Sequence, residues 1–168
     1  STDPCASGVV WTGLTWSAGA GVEMLINKGM TGTVPPSLGC LASLVDLRLH
    51  INSLTGSIPP ELSSMSALDN FNLRTNSLTG PIPSVLGCMT ALTGLYRRQN
   101  SLTGSIPSEL GSLSSVTYLA VSTNSLTGSM PPELGSLSSL QQLHLQRNSL
   151  VGFIPPQLGS LLSLTYLG

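Results

Sequence analysis

The sequence predicts a solenoid of short parallel strands, because three features recur every 24 residues along the 168-residue chain. A pentapeptide Asn-Ser-Leu-Thr-Gly, once with Val for Thr, begins at Asn52, Asn76, Asn100, Asn124 and Asn148. A Gly keeps the same step from Gly56 to Gly152, and a Pro keeps it from Pro59 to Pro155. Self-similarity at a fixed period, with no insertion, is the signature of repeat architectures whose units stack on their neighbours.

Each unit reads L-x-x-L-x-x-L-x-L-x-x-N-x-L-T-G-x-I-P-x-x-L-G-x, as the repeat that starts at Leu137 shows. The L-x-L segment is typical of a strand with alternate residues pointing inward, and such strands stack about 4.8 Å apart in a parallel sheet. The Asn lies at a tight bend, where its amide can bond backbone groups that would otherwise be buried unpaired. We therefore interpret the five Asn residues as a structural ladder. Gly permits the turn, Pro fixes the chain leaving it, and the short outer segment favours 3₁₀ turns.

This pattern resembles the plant-type leucine-rich-repeat family, known from receptor-kinase ectodomains and polygalacturonase-inhibiting proteins. The family's L-T-G-x-I-P hallmark stands at residues 54–59, 78–83 and 102–107, whereas Met130 replaces Ile and Val151 replaces Thr in later repeats. The resemblance implies a leucine-rich-repeat solenoid, a right-handed superhelix with a concave parallel β-sheet and short 3₁₀ turns on the convex side. It also implies a second short sheet at the Leu-Thr-Gly segment, and a secreted or extracellular protein, either an ectodomain or a fragment of one. The motif names no ligand, because family members bind peptides, steroids, glycans and other proteins.

The two ends of the chain differ in character. Residues 1–27 are interpreted as a partial N-terminal cap with the first strand, and residues 28–168 as 24-residue repeats without a C-terminal cap. The family pairs the cap's first cysteine with a second one, but Trp16 stands where the partner of Cys5 belongs. A Cys5–Cys40 disulfide is one alternative, and small apolar side chains in the outer layer are the simpler one. An uncapped end exposes an unpaired strand, which offers a route to association with a partner.

Several classes of function are excluded by composition and motif. Charged residues make up 8% of the chain and the net charge is −1, whereas nucleic-acid binding needs a strongly basic surface. No apolar run of about 18 residues encodes a membrane span. The chain has no phosphate-binding loop, nucleophile elbow or zinc-protease motif. His50 and His144 lie almost four repeats apart, too far to share a metal. The sequence therefore predicts no enzyme, no cofactor and no metal site.

Basic and aromatic residues gather on the predicted strands. Aligning the repeats places the following candidate ligand-binding residues at solvent-facing positions of the concave face: Arg48, His50, Arg74, Tyr96, Arg98, Tyr118, His144 and Arg147. Glu61, Glu109 and Glu133 fall in the outer segment instead. Any solvent-facing strand position must be polar, which leaves chance as one explanation. Arg and Tyr are also favoured at binding sites, which leaves a ligand face as the other.

The predicted function is a non-catalytic recognition module that binds a protein, a peptide or an acidic glycan on its concave face. One alternative is a polygalacturonase-inhibitor-like inhibitor of a cell-wall hydrolase. Another is an ice-binding protein, because uncharged rows recur evenly at Thr55, Thr79, Thr103 and Thr127. The last alternative is a structural spacer that binds no ligand.

Arg97 does not fit the pattern. Its equivalents in the neighbouring repeats are Leu73 and Val121, both core positions, and no acid occupies the matching place beside it. A buried guanidinium without a partner costs several kcal/mol. We expect Arg97 to reach solvent, to distort its strand or to find a partner that the sequence hides. Glu23 is misplaced in a similar way, but it lies near the open cap.

Overall fold

The computed structural model describes residues 22–168, in which one structural unit recurs along the chain. The described strands are, in chain order, β1 (Val22–Met24), β2 (Thr31–Thr33), β3 (Asp46–Arg48), β4 (Ser53–Gly56), β5 (Asn70–Asn72), β6 (Ser77–Gly80), β7 (Gly94–Tyr96), β8 (Ser101–Leu102), β9 (Tyr118–Ala120), β10 (Gln142–His144) and β11 (Tyr166–Leu167). The 3₁₀ helices span Pro36–Cys40, Pro60–Ser64, Ser84–Cys88, Ser108–Ser112, Pro132–Ser136 and Pro156–Ser160. The expected first strand is β1, whereas the cap with Cys5 and Trp16 lies outside the described residues.

The strands form two parallel sheets. The first contains seven strands in the order β1-β3-β5-β7-β9-β10-β11, and we call it the concave sheet after the side that the repeat pattern predicts for it. The second contains β2, β4, β6 and β8 and is called the lateral sheet; it is the short sheet expected at the Leu-Thr-Gly segment. Equivalent residues pair in the concave sheet, as in Leu47 with Phe71. In the lateral sheet the register is displaced by two residues, so that Thr55 pairs with Ser77.

The core is a set of columns that run through the stacked repeats. The middle residues of β3, β5, β7, β9 and β10 point inward, and all five are fully buried: Leu47, Phe71, Leu95, Leu119 and Leu143. Burying one such side chain contributes about 1.5–3 kcal/mol, although each repeat obtains that burial only from its neighbours. The outer wall comes from the 3₁₀ helices, where one Leu of each helix, such as Leu110, closes the core.

The ladder residues join consecutive repeats through their amides. Asn76 Oδ1 accepts a hydrogen bond of 3.0 Å from the backbone N–H of Leu54, in the preceding repeat. Its Nδ2 donates to the carbonyl oxygens of Leu49 at 3.0 Å and Leu73 at 3.1 Å, one in each repeat. The same two-way bonding is present at Asn52, Asn100, Asn124 and Asn148. These amides satisfy backbone groups that the bend would leave unpaired.

The bend itself places a side chain in an unfavourable conformation. The residue before each ladder Asn has φ between 55° at Thr123 and 59° at Ile51, which is the left-handed region. A residue other than glycine costs roughly 1–2 kcal/mol there, and a β-branched one is a clear outlier. The equivalent positions farther along the chain are Thr75, Gln99, Thr123 and Arg147. The ladder hydrogen bonds and the core columns on either side hold this geometry.

Candidate ligand-binding face

The concave sheet presents three rows of solvent-side residues, because its strands pair in register and alternate residues point the same way. The first row holds Asp46, Asn70, Gly94, Tyr118, Gln142 and Tyr166. The second row holds Arg48, Asn72, Tyr96, Ala120 and His144. The third row, just beyond the strands, holds His50, Arg74, Arg98, Ser122 and Gln146, whose carbonyl groups each bond the repeat before.

Four aromatic rings form a continuous stack across the first two rows, which we call the aromatic ladder. Tyr96 stacks on Tyr118 with 4.7 Å between ring centroids, Tyr118 lies 5.0 Å from His144, and His144 stacks on Tyr166 at 4.4 Å. These separations match the spacing of neighbouring strands, about 4.8 Å. The rings therefore stand on successive strands with their faces towards one another. They present edges and polar tips to solvent.

Small residues make room for the rings. Tyr96 leans over Gly94 on its own strand, where a Cβ atom would lie 2.5 Å from the ring. Tyr118 shares its strand with Ala120, which is fully buried. His144 is held by Gln142, whose Oε1 lies 3.0 Å from the Nε2 of His144. Gly94 and Ala120 therefore leave room for the tyrosine rings of the aromatic ladder, and Gln142 orients the ring of His144.

The positive charge of this face comes from arginine. Burial, reinforced by Arg74 and Arg48, lowers the pKa of His50 below its ordinary value of 6.5. Burial, reinforced by Arg98, lowers the pKa of His144 in the same way. Both imidazoles are therefore mainly neutral at pH 7. Burial, with the neighbouring Tyr118, raises the pKa of Tyr96, which keeps its phenol protonated.

Among the residues of the three rows, only Asp46 is acidic, and its carboxylate is already paired with Arg48. Arg48 contacts its carboxylate twice, with 2.7 Å from Nη2 to Oδ2 and 3.1 Å from Nε to Oδ1. Arg74 and Arg98 have no such acidic partner among the described residues. Two polar atoms near them, Asn70 Oδ1 and Arg74 Nε, are buried without a hydrogen-bond partner. The face therefore carries unneutralised positive charge between β3 and β7.

Arg97 lies in the core, as its position in the repeat predicts. Its side chain is fully buried, and none of its three guanidinium nitrogens has a hydrogen-bond partner. Its Cζ lies 4.1 Å from the centroid of the Phe71 ring, on the neighbouring repeat. This cation–π contact is the partner that the sequence hid. Burial lowers the pKa of Arg97 from its ordinary value to about 9, so that the guanidinium stays charged at pH 7.

The other surfaces of the described chain carry less chemistry. Glu61, Glu109 and Glu133 are exposed in the first turns of 3₁₀ helices, on the side opposite the concave sheet. Cys40 and Cys88 are free and exposed, so they are less buried than small apolar side chains of the outer layer would be. The alternative, a Cys5–Cys40 disulfide, involves Cys5, which lies outside the described residues. Within residues 22–168, no cluster of three or more His, Cys, Asp or Glu side chains is arranged to hold a metal ion. No helix in the same range is long and apolar enough to cross a membrane.

The repeat, the two parallel sheets and the 3₁₀ turns together define a leucine-rich-repeat solenoid. The Leucine Rich Repeat family model matches residues 43–65 and 139–161. The Arabidopsis thaliana BIR2 ectodomain is 33% identical, with a TM-score of 0.70, and the match covers 77% of this chain and 68% of that one. The chain belongs to the plant-type leucine-rich-repeat family.

Two further solved structures bear on function. The leucine-rich-repeat ectodomain of the Arabidopsis thaliana receptor kinase GASSHO1/SCHENGEN3, in complex with Casparian strip integrity factor 2, is 43% identical with a TM-score of 0.81 over 82% of this chain. A plant ice-binding protein is 27% identical with a TM-score of 0.70 over 87% of this chain and 55% of that one. The chain spans only 16% of the GASSHO1/SCHENGEN3 ectodomain and 22% of the plant peptide hormone receptor RGFR1. No curated protein matches the chain significantly.

The structure brings together some of the eight sequence-predicted site residues, whereas others are buried or already paired. Arg74, Arg98, Tyr96 and Tyr118 come from three adjacent repeats, as expected. His144 is a rung of the aromatic ladder. His50 is 9% exposed and offers little surface to a ligand, because it is packed under its neighbours. The remaining two residues are Arg48 and Arg147. Arg48 is half-exposed and held by Asp46, and Arg147 is exposed at the last bend.

Sequence reasoning missed one ring. Tyr166 closes the aromatic ladder beyond His144, and it occupies the same repeat position as Tyr118, 48 residues earlier. Extending the repeat alignment by one strand would have found it.

Proposed function

We propose that this chain is a non-catalytic recognition module, secreted or part of an ectodomain, that binds an acidic peptide or protein segment on the concave sheet. The observation that carries the proposal is the combination of the aromatic ladder with Arg74 and Arg98, neither of which has an acidic partner within residues 22–168. The likeness to a receptor ectodomain bound to Casparian strip integrity factor 2, and to the plant peptide hormone receptor RGFR1 bound to RGF2, supports a peptide or protein as the ligand.

The chemistry of the face favours an anionic ligand for two reasons. Arginine pairs with carboxylate through two parallel hydrogen bonds, which adds geometric selection to charge attraction. Aromatic ring edges carry partial positive charge, and the tyrosine hydroxyls are hydrogen-bond donors. An extended acidic segment that lies across the strands meets both kinds of group. An acidic glycan satisfies the same charges but gains less from the apolar ring edges.

The test begins with a ligand that the protein itself selects. A displayed library of random peptides is panned against the chain, and the enriched peptides are measured by calorimetry at several salt concentrations. We expect acidic sequences to be enriched. We expect Arg98→Ala to weaken their binding about tenfold, which corresponds to loss of one charge-assisted contact. Polygalacturonate serves as the glycan probe in the same assay.

Two matched variants separate the concave sheet from the rest of the surface. Arg147→Ala should weaken binding less than Arg98→Ala, and its effect should fade at high salt, because it acts by longer-range attraction that salt screens. Glu109→Ala, on the 3₁₀ side, should leave the affinity unchanged. A peptide whose binding depends on Glu61, Glu109 or Glu133 and ignores Arg98 would refute the proposal.

Ice binding is the second candidate, favoured by the likeness to a plant ice-binding protein and by the lateral sheet. Its strands carry the exposed residues Thr33, Thr55 and Thr79, and exposed Thr103 and Thr127 follow at the equivalent positions of the next two repeats, without a charged residue among them. The displaced register sets Thr33 opposite Thr55 and Thr55 opposite Ser77, about 4.8 Å apart. An uncharged periodic surface suits a periodic ligand.

A thermal-hysteresis measurement decides this candidate. If the candidate holds, the wild type shapes ice crystals, and Thr103→Lys, which puts a strongly hydrated charge in the middle of the array, abolishes the effect. Arg98→Ala, on the other sheet, should retain it. A wild type without hysteresis or ice shaping removes the candidate, whatever the peptide experiments show.

A further inference from the structure

The repeat that contains Asn148 interrupts the hydroxyl pattern on the side of the lateral sheet at two nearby positions. Val151 stands where the four preceding repeats have Thr, and Phe153 stands where they have Ser or Pro. The segment is held like its equivalents, because the N–H of Val151 donates a 2.9 Å hydrogen bond to the carbonyl oxygen of Gly128 in the preceding repeat. Val151 is 66% exposed and Phe153 is 95% exposed. We call these two side chains the lateral patch.

The exposure of the lateral patch follows from its place in the repeat. The equivalent positions are also exposed in repeats that have a neighbour on either side, namely Thr79, Thr103 and Thr127 for Val151, and Pro81, Ser105 and Ser129 for Phe153. Stacking of repeats therefore does not cover these positions. Adjoining apolar side chains that a fold holds outward, on a surface otherwise made of hydroxyl groups, are typical of an interaction site.

A groove lies on the same side of the solenoid, between the lateral sheet and the first turns of the 3₁₀ helices Ser84–Cys88 and Ser108–Ser112. It has a volume of about 810 Å³ and runs across three repeats. Among its lining residues, Glu109 is the only charged one. We call it the flank groove. Its apolar surface comes from the prolines and isoleucines of the repeat motif: Pro81, Ile82, Pro83, Ile106, Pro107 and Pro131.

The lateral patch and the flank groove match in size and chemistry. A groove of this volume is in the range that holds a drug-sized molecule, so it accommodates a phenylalanine side chain together with a valine. An aromatic side chain that enters an apolar groove removes a large apolar area from water. Since the patch has no charge and the groove has a single carboxylate, their contact does not require several ionised groups to leave water.

The spacing of the two features fits a symmetric contact between two copies. Phe153 and Ser105, in the middle repeat of the flank groove, occupy the same row two repeats apart, roughly 10 Å along the stack. A twofold axis at Ser129, which lies halfway between them, sets Phe153 of each copy against Ser105 of the other. An interface that uses the same surface on both copies closes as a dimer and does not extend into a fibre.

We propose that the lateral patch docks in the flank groove of a second copy of this chain, and that two such contacts form a twofold-symmetric dimer. The partner is a second copy because one chain carries both halves of the contact on one side, at a spacing that twofold symmetry uses twice. The concave sheet lies on another face and stays open, so the inference goes beyond the proposed function and does not depend on it. The paired surface spans about four repeats, a small interface typical of transient association, and we expect a dissociation constant on the order of 10–100 µM.

Sedimentation velocity over a concentration series up to about 1 mM measures this association. We expect the wild type to form dimers. Phe153→Ser restores the residue that the equivalent positions Ser105 and Ser129 carry, so the fold should stay intact. This variant should dimerise roughly a hundredfold more weakly or less, because one phenylalanine leaves each of the two contacts. A wild type that stays monomeric, or a Phe153→Ser dimer as tight as the wild type, would overturn the inference.

Leu162→Ser is the matched control for loss of an exposed apolar side chain. Leu162 is 93% exposed and directly follows the 3₁₀ helix Pro156–Ser160, away from the lateral sheet. Its equivalents Ser114 and Ser138 are exposed as well, so this substitution also restores the residue of the repeat. The Leu162→Ser dimer should be as tight as that of the wild type. If Leu162→Ser dissociates the dimer, the interface lies elsewhere and the inference is wrong.

A mixture of two variants tests whether the patch meets the groove. Ser105→Arg places a charged side chain in the flank groove, leaves the lateral patch intact and should abolish dimerisation on its own. When Ser105→Arg is mixed with Phe153→Ser, an intact patch faces an intact groove at one of the two contacts. The mixture should therefore form a heterodimer, roughly tenfold weaker than the wild-type dimer because one phenylalanine contact is lost. A mixture that stays monomeric while thermal melts show both variants folded would refute the docking of patch in groove.

Discussion

Replacing Arg97 by Leu should make the protein more stable, although it removes a residue with a well-defined contact. The fall in the pKa of Arg97 to about 9 corresponds to roughly 5 kcal/mol needed to keep the guanidinium charged in the core at pH 7. The cation–π contact with Phe71 offsets about 2 kcal/mol of this cost. Leu restores the apolar column between Leu73 and Val121, both fully buried. We expect Arg97→Leu to raise the free energy of unfolding by about 1–4 kcal/mol.

The pH dependence provides a second, signed measurement of the same cost. Because the folded-state pKa of Arg97 lies below the unfolded value, the unfolded chain binds more protons than the folded chain once the pH rises through about 9. Wild-type stability should therefore rise, relative to the Leu variant, as the pH rises through 9. At about pH 10.5 the advantage of the variant should have shrunk by roughly 2 kcal/mol. The tyrosines titrate in both proteins and cancel in the difference.

Chemical denaturation separates the desolvation cost of Arg97 from its cation–π contact with Phe71. The four proteins to compare are the wild type, Arg97→Leu, Phe71→Leu and the double variant. Phe71→Leu should cost about 1–2 kcal/mol more in the wild-type background than in the Leu variant, because only the former loses the cation–π contact. A Leu variant that melts below the wild type would refute the reasoning, since it would mean that Arg97 has a partner worth more than its desolvation.

Two further substitutions test the repeat geometry by thermal or chemical denaturation. Asn100→Ala should lower the free energy of unfolding by roughly 1–3 kcal/mol, because it leaves backbone groups of two repeats unpaired, whereas Ser101→Ala, next to it and exposed, should change it by less than about 0.5 kcal/mol; equal effects would show that the ladder amide contributes little. Thr123→Asn should raise stability by about 0.5–1 kcal/mol, because φ is 55° there and Asn tolerates the left-handed region, while Thr127→Asn, which lies outside that region, should be neutral. A loss of stability at Thr123 would mean that its packing outweighs the relief of strain.

Much of the fold was predictable because a repeat with an uninterrupted period leaves little freedom. Once Asn52 and its equivalents set the phase, every strand, bend and 3₁₀ helix in the described chain follows at the same offset. The alternation of inward and outward residues then assigns core and surface. This reasoning predicts that one face of adjacent strands carries Arg74, Tyr96, Arg98 and Tyr118.

The candidate site was less predictable because it depends on where side chains lean. The repeat phase puts Tyr118 and His144 in different rows, and only the sheet shows that they meet on the diagonal at 5.0 Å. The repeat phase also cannot show that the neighbours of His50 cover its side chain and leave it 9% exposed. Stacking and burial depend on rotamers chosen jointly by several strands, and no single repeat contains that information.

The sequence by itself determined the class of solenoid, the columns of the core and the ladder of Asn amides, because these follow from local periodicity. Tertiary structure alone decided the two-residue offset that sets Thr55 opposite Ser77 in the lateral sheet. It also decided that Arg97 lies against Phe71, since that contact joins side chains from different positions of two repeats. Period fixes which residues are equivalent, whereas contacts between unlike positions depend on the twist and packing of the assembled stack.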